Sequence, residues 1–362
     1  MVASMITVNS ISNAVPVLGA PPAPVVASAA VVVPPASRNA RQTPVAQSLA
    51  QAQAGATIVR PAAVRGAEHD HHRDAAHSGR SVGVRPTRSD PARVAIFSFD
   101  ASTGTERRLS SSDLREGGDV VARMAYQNGQ RIDRFLRDRF GRNGWDGQGG
   151  RLQLVVHATD SPGQGMNNAY WDREQARIYL GDGDGRIFAP LGDSVDVLAH
   201  ETFHAIVDAE VNLRYEGQQG GINESWADVL GSLADPDNDW LIGEDVYTPG
   251  SPNDAIRNLA APRFSHVNQI PPGNQVGVHD LSGVPSLAAV RVADRIGRDQ
   301  MGDIWYRALT DHLDSRAGFA GAARATLEAA VELYGHDSAQ FAAVMNAWKS
   351  VGVNPRFKTQ VA

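Results

Sequence analysis

Residues 200–204 read His200-Glu201-Thr202-Phe203-His204, and the chain around them is apolar: Val195, Val197 and Leu198 before, Ala205, Ile206 and Val207 after. That pattern suits a buried helix. Residues four apart share one face of a helix, roughly 6 Å apart at Cβ, so the two imidazoles can meet a single ion. Glu201 sits on the flank of that face. From there it can reach a water on the ion without becoming a ligand. The competing reading of the pentapeptide is a helix with two histidines in the core or on the surface.

The chain has no cysteine, which removes disulfides, thiolate catalysis and cysteine-ligated zinc; a metal must be held by His, Asp and Glu. A catalytic zinc keeps three protein ligands and one open position. The pattern that takes its third ligand from a later histidine requires Gly and His where Val207 and Glu210 stand, so that class is excluded. The other common source is a Glu on a following helix. Asn223-Glu224-Ser225-Trp226-Ala227-Asp228 supplies two carboxylates four apart. One can bind the metal while the other accepts a hydrogen bond from a ligand imidazole, which fixes its tautomer and raises its basicity. Gly220 and Gly221 upstream are expected to allow a tight turn into a helix beginning near Gly221.

Charged content is ordinary and the net charge is −6, which gives no reason to expect nucleic-acid binding. No apolar run reaches the roughly 18 residues of a membrane span. Residues 1–92 read as a disordered leader rich in Ala, Pro, Val and Ser, with no aromatic residue and with eight Arg against four acidic residues. The leader lacks Lys or Arg before Arg38, and prolines break its apolar stretch, so a standard signal peptide is not the expectation. Export by a non-standard route is, with a cytoplasmic location as the alternative. His69, His71 and His72 read as a solvated polar stretch rather than a metal site. Residues 93–215 read as a mixed lobe: strands at Val94–Phe97, Leu152–His157 and Ala176–Leu180, a helix over Asp119–Phe140 with apolar Val120, Val121, Met124, Ile132 and Phe135, then the His200 helix. Residues 216–355 read as a helical lobe, helical almost throughout from Pro285 to Ser350. Residues 356–362 are a tail.

The chain resembles the thermolysin family of zinc metallopeptidases, in its compact protealysin-like form, from about Val94 to Val353. The resemblance rests on the two motifs above and their spacing. It extends to Asn167-Asn168-Ala169-Tyr170-Trp171, Gly181-Asp182-Gly183-Asp184-Gly185, Gly243-Glu244-Asp245-Val246-Tyr247-Thr248-Pro249-Gly250 and Gly277-Val278-His279. It implies an α+β fold of two lobes around a cleft, a mixed N-terminal lobe and a mainly helical C-terminal lobe. It implies zinc held by His200, His204 and Glu224, with Asp228 behind His200 and Glu201 as general base. Tyr215 and His279 would stabilise the oxyanion. Arg257 would bind Glu224 and a substrate carbonyl. Asn168 and the backbone of Ala169 would hold an extended peptide. The substrate is then a peptide or protein, and the enzyme an endopeptidase acting as a monomer; the rival is an inactive peptidase scaffold that serves as a binding protein. Two positions depart from the family pattern, Leu281 for an Asn and Asn274 for an Asp, and both bear on the protonation of His279.

Asp235-Pro236-Asp237-Asn238-Asp239 followed by Glu244 looks like a cation loop, though not an EF-hand, because Trp240 and Val246 stand where Gly and Glu are required. The resemblance implies a structural calcium at Asp235, Asp237, Asp239 and Glu244 with help from Asp196. It also implies a pocket for the residue after the cut bond, lined by Phe188, Leu191, Val197, Ile242, Val246 and Ile256, which would select bulky hydrophobic residues there. The glycines of 181–185 are mis-spaced for a dinucleotide loop, and no nucleophile-elbow serine motif appears.

Overall fold

The structure is a computed structural model that describes residues 93–159, 165–251, 254–273 and 276–355. The leader, the tail, the His69–His72 cluster and Asn274 lie outside the described residues.

The N-terminal lobe is a five-stranded sheet. Strand β1 (Val94–Asp100) turns back into β2 (Thr105–Arg108); β3 (Leu152–Ala158), β4 (Ala169–Asp172) and β5 (Arg177–Gly181) complete it. The order is β2-β1-β3-β5-β4. Strands β1, β3 and β5 run parallel, and β2 and β4 are antiparallel edges. Val94, Ile96, Leu152, Leu154, Val155 and Val156 are all buried, as strands in the centre of a covered parallel sheet require.

Helix α1 (Val120–Phe140) packs on this sheet, and its Asp119 side chain caps it by accepting from Ala122 N. The sequence points to Val120, Val121, Met124, Ile132 and Phe135 as the packing face; Ile132 is buried and Val121 and Phe135 pack against the core, but the buried stripe runs through Ala122, Ala125, Gly129, Ile132 and Leu136, while Val120 is 56% exposed. The reason is close approach. A Cβ at Gly129 would lie 2.9 Å from Leu154 Cδ1, and one at Gly192 would lie 2.8 Å from the Ala125 Cβ. Large side chains on that face would push the helix off the sheet.

Helix α2 (Val195–Glu210) is buried at every residue from Val195 to Val207. Helix α3 (Gly217–Gly231) packs along it, and Gly231 permits the crossing: a Cβ there would lie 3.0 Å from the His200 backbone nitrogen. Helix α3 begins four residues ahead of Gly221, so Gly220 and Gly221 lie inside it rather than in a turn. A short hairpin follows, β6 (Leu241–Ile242) against β7 (Arg257–Asn258).

The rest of the C-terminal lobe is helical: α4 (Val278–Leu281), α5 (Gly283–Ile296), α6 (Arg298–Arg307) running into a π-helical turn at Ala308–His312, α7 (Phe319–Tyr334) and α8 (Ala339–Ser350). Gly297, at φ 88°, separates α5 from α6. The core of this lobe is a run of buried indoles. Trp226 stacks on Trp305 at 6.0 Å between ring centroids, and Trp305 on Trp348 at 6.4 Å. Trp226 Nε1 donates to Trp305 O and Trp348 Nε1 to Thr326 Oγ1, so the two outer indoles are satisfied inside the core, while the buried Trp305 Nε1 has no hydrogen-bond partner. The α+β, two-lobed expectation holds.

Candidate metal centre

Helix α2 presents His200 and His204 one turn apart, and α3 brings Glu224 opposite them. The two Nε2 atoms are 2.8 Å apart, and each lies 3.5 Å from a Glu224 carboxylate oxygen. All three side chains are at most 2% exposed. The outer ring nitrogens are both occupied. His200 Nδ1 is 2.8 Å from Asp228 Oδ1, and His204 Nδ1 is 2.7 Å from Asn223 Oδ1. A carboxylate and an amide oxygen only accept, so each ring carries its proton on Nδ1. The inner Nε2 atoms then face each other as lone pairs beside a carboxylate, an arrangement that a cation satisfies and a hydrogen bond cannot.

The titration of these groups points the same way. Burial, then the neighbouring imidazole, pushes His200 down; burial also lowers His204. Both are therefore neutral, the form that ligates. Burial works to raise Glu224, but His279, His204, His200 and Arg257 outweigh it and hold the carboxyl at about 2. The donor set fits a tetrahedral zinc with one open position.

Glu201 stands apart from the His200, His204 and Glu224 cluster. Its Oε2 accepts from the backbone nitrogen of Trp171 at 2.9 Å, and its buried Oε1 has no hydrogen-bond partner. Burial, then the charge of Glu224, raises its pKa well above the usual carboxylate value. Tyr215 donates its hydroxyl to Glu224 Oε1, and His279 Nε2 lies 3.4 Å from Glu224 Oε2 with 21% of its side chain exposed. Both side chains thus border the ligand cluster.

Two glycines bring His279 there. A Cβ at Gly220 would lie 2.4 Å from Val278 Cγ1, and one at Gly221 would lie 2.8 Å from the Leu281 Cβ. Helix α4 rests directly on the backbone of α3. Leu281, in place of the Asn that the family pattern carries, is buried in this contact.

Arg257 forks onto Asp228, Nε to Oδ2 at 2.8 Å and Nη2 to Oδ1 at 2.6 Å, and its charge also acts on Glu224. The planar fork matches a carboxylate face, and Asp228 is the one carboxylate already oriented by His200. Asp228 is held below the usual range mainly by Arg257 and His200, against its burial.

Asn168 and Ala169 lie at the start of edge strand β4, whose other side pairs with β5. The Asn168 side-chain oxygen has no hydrogen-bond partner. The six apolar pocket positions converge in part. Ala189 N, next to Phe188, donates to Val246 O, and Ile256 N donates to Ile242 O. Ile256 and Val197 both close over Gly243, where a Cβ would lie 2.4 Å from Ile256 Cδ1 and 3.4 Å from Val197 Cγ2. Leu191 is fully buried nearby in sequence, ahead of α2.

The acidic loop contributes a second group. Carboxylate oxygens of Asp196, Asp235 and Glu244 lie within 4.8 Å of one another. Asp237 and Asp239 stand outside this trio. The Asp237 backbone nitrogen donates to Asp235, and the Asp239 side chain is turned back to accept from Leu241 N at 2.8 Å. Burial lifts Asp196 to about 6, and burial with the charge of Asp196 lifts Glu244 to about 8.

Sequence reasoning missed Asn223 as the partner of His204 and the Trp171 backbone as the partner of Glu201. The first stood inside the quoted motif, one residue before Glu224. The second is a main-chain group with no sequence signal.

Comparison with known proteins follows the same outline. The family described as thermolysin metallopeptidase, catalytic domain, matches residues 89–208, and its alpha-helical domain matches residues 211–353. An extracellular elastase of Staphylococcus epidermidis is 38% identical over 276 residues, covering 72% of this chain and 52% of the relative. Neutral protease B of Bacillus subtilis is 38% identical over 267 residues, covering 69% of this chain and 48% of the relative. The chain thus spans about half the length of the curated relatives it matches. Among solved structures, the precursor of protealysin from Serratia proteamaculans aligns with a TM-score of 0.62 at 28% identity, over 75% of this chain and 90% of that one. With both of the family's domains matched in order, the chain belongs to the thermolysin family of metallopeptidases.

Proposed function

We propose that this protein is a zinc-dependent endopeptidase that cuts extended peptides on the N-terminal side of bulky hydrophobic residues. The observation that carries this reading is the pair of buried imidazole lone pairs facing Glu224, with Glu201 beside them and free at one oxygen. His200, His204 and Glu224 would hold the ion. When bound, zinc would polarise the scissile carbonyl and make a water acidic near neutral pH.

The chain's own residues do the rest. The substrate adds to the open side of β4 as an extended strand, with the Ala169 backbone and the Asn168 side chain as its contacts. Glu201, held by Trp171 N, takes a proton from the attacking water and passes it to the leaving amine. Tyr215 and His279 donate to the developing oxyanion, worth about 3–4 kcal/mol for one well-placed donor. Arg257 keeps Asp228 oriented behind His200. Phe188, Leu191, Val197, Ile242, Val246 and Ile256 line the pocket that receives the next side chain.

A structural calcium at Asp196, Asp235 and Glu244 belongs to the same proposal. Glu244 has two buried oxygens without hydrogen-bond partners, and three carboxylates so close repel one another without a cation. Secretion is also part of it, supported by the relative named as an extracellular elastase. No helix among the described residues is long and apolar enough to cross a membrane.

The test is zinc content and peptide hydrolysis by the purified protein. Phenanthroline should abolish hydrolysis, and zinc should restore it. Full activity in demonstrably metal-free protein would sink the reading.

A further inference from the structure

The segment from Ser232 to Glu244 leaves the end of α3, carries Asp235, Asp237 and Asp239, returns as β6 and ends at Glu244. Its carboxylates repel one another, yet it must hold Ile242 in the pocket wall. One side chain from outside the segment reaches both its start and its middle. Arg298, the first residue of α6, donates through Nη1 to the carbonyl of Asp239. Through Nη2 it donates to the carbonyl of Ser232 at 2.8 Å and to its hydroxyl at 3.2 Å. The guanidinium lies over the Trp240 ring, 3.9 Å from its centroid.

We propose that Arg298 is a positioning residue, a built-in cation that holds the acidic loop and, through it, the Ile242 wall of the specificity pocket. This rests on the peptidase reading for its kinetic consequence alone. The route to the site is short. Trp240 O accepts from Leu259 N at 2.8 Å, and the hairpin continues with Leu241 opposite Asn258 and then Ile242 opposite Arg257. Arg257 forks onto Asp228 behind His200. Fixing Trp240 and Asp239 therefore fixes the register of β6 on β7.

The chemistry requires an arginine. Its planar fork hydrogen-bonds in the plane while its face stacks on an indole, and a lysine ammonium cannot do both. The positive charge also sits at the end of α3, where the last carbonyls carry partial negative charge. A loop pinned this way presents Asp235 and Glu244 to a calcium ion already in place. Without Arg298 the ion would have to order the loop as well as bind it.

The experiment compares full-length, zinc-loaded wild type with Arg298→Ala and Arg298→Lys, each in calcium-free buffer and with millimolar calcium. Trp240→Leu, which removes the stack but keeps the arginine, is the second route if Arg298→Ala fails to fold. Thermal melting reads the loop without any activity. The rise in Tm on adding calcium should be smaller in Arg298→Ala than in wild type, with Arg298→Lys between them, because in the variant part of the binding energy goes into ordering the loop.

Kinetics read the pocket. With a peptide carrying Leu after the cut bond, calcium-free Arg298→Ala should show KM raised about five- to tenfold and kcat within about twofold of wild type. Calcium should bring KM back to within about twofold. Equal calcium responses in wild type and Arg298→Ala, or no response in either, would overturn the proposal. So would a loss of activity that calcium does not repair. A wild type that hydrolyses no peptide would defeat the peptidase reading while the melting comparison still decided this one.

Discussion

Replacing His157 with Asn should weaken the fold at neutral pH and flatten its response to alkali. His157 lies in a bulged stretch of β3 at φ 58°. Nδ1 is 2.7 Å from Asp182 Oδ2, and Nε2 is 2.9 Å from Asp119 Oδ2. Carboxylates only accept, so both nitrogens carry protons and the ring is a cation. It joins the cap of α1 to the end of β5. The hydrogen bond to Asp182 does most to raise its pKa, burial opposes, Asp119 adds, and the value reaches about 9 from an ordinary 6.5.

The folded state holds this proton more tightly than the unfolded chain. The stabilisation is therefore complete below 6.5, declines as pH rises above that, and is gone beyond about 9. The full shift corresponds to at most about 3 kcal/mol. With 28% of the side chain exposed, screening reduces this to about 1–2 kcal/mol. Asn tolerates the left-handed backbone and removes the charge. Urea unfolding of zinc-loaded protein, from below pH 6.5 to above pH 9, measures the difference. Glu244, held up to about 8, titrates in the same window, and subtracting the variant from wild type cancels it. The two curves should converge above pH 9; curves that stay parallel throughout would refute the argument.

Glu201→Gln should abolish hydrolysis while leaving zinc bound, because in the proposed mechanism the residue acts as a base and not as a ligand; near-native turnover in a zinc-loaded variant would contradict that. Gly220→Ala should lower kcat/KM by about ten- to a hundredfold at unchanged zinc content, because the added Cβ meets Val278 and displaces His279. Unaltered kinetics would show that α4 can move without cost. Removing calcium should lower the melting temperature before it lowers intrinsic activity, and identical melting with and without the ion would eliminate that site. A peptide-library digest should favour Leu, Phe, Ile or Val after the cut bond over Gly or charged residues by about ten- to a hundredfold. Cutting mainly before charged residues would refute the pocket.

Much of the centre was legible because helix geometry is local. Four residues separate His200 from His204, and Glu224 from Asp228, and that spacing puts each pair on one face wherever the helix lies. The strands β1, β3 and β5 were readable from short β-branched runs for the same reason. Edge strands β2 and β4 were not, since Thr105-Glu106-Arg107-Arg108 has no apolar period and is defined by its pairing with β1. Tertiary structure alone decided the contacts that make the centre work. Trp171 N reaches Glu201 across 30 residues and Arg257 reaches Asp228 across 29. Gly129, Gly220, Gly221 and Gly231 are glycines because another element lies against their backbone. Local sequence sets which face a side chain occupies, but which partner meets it depends on how closely two elements can pack, and that is a property of both surfaces together.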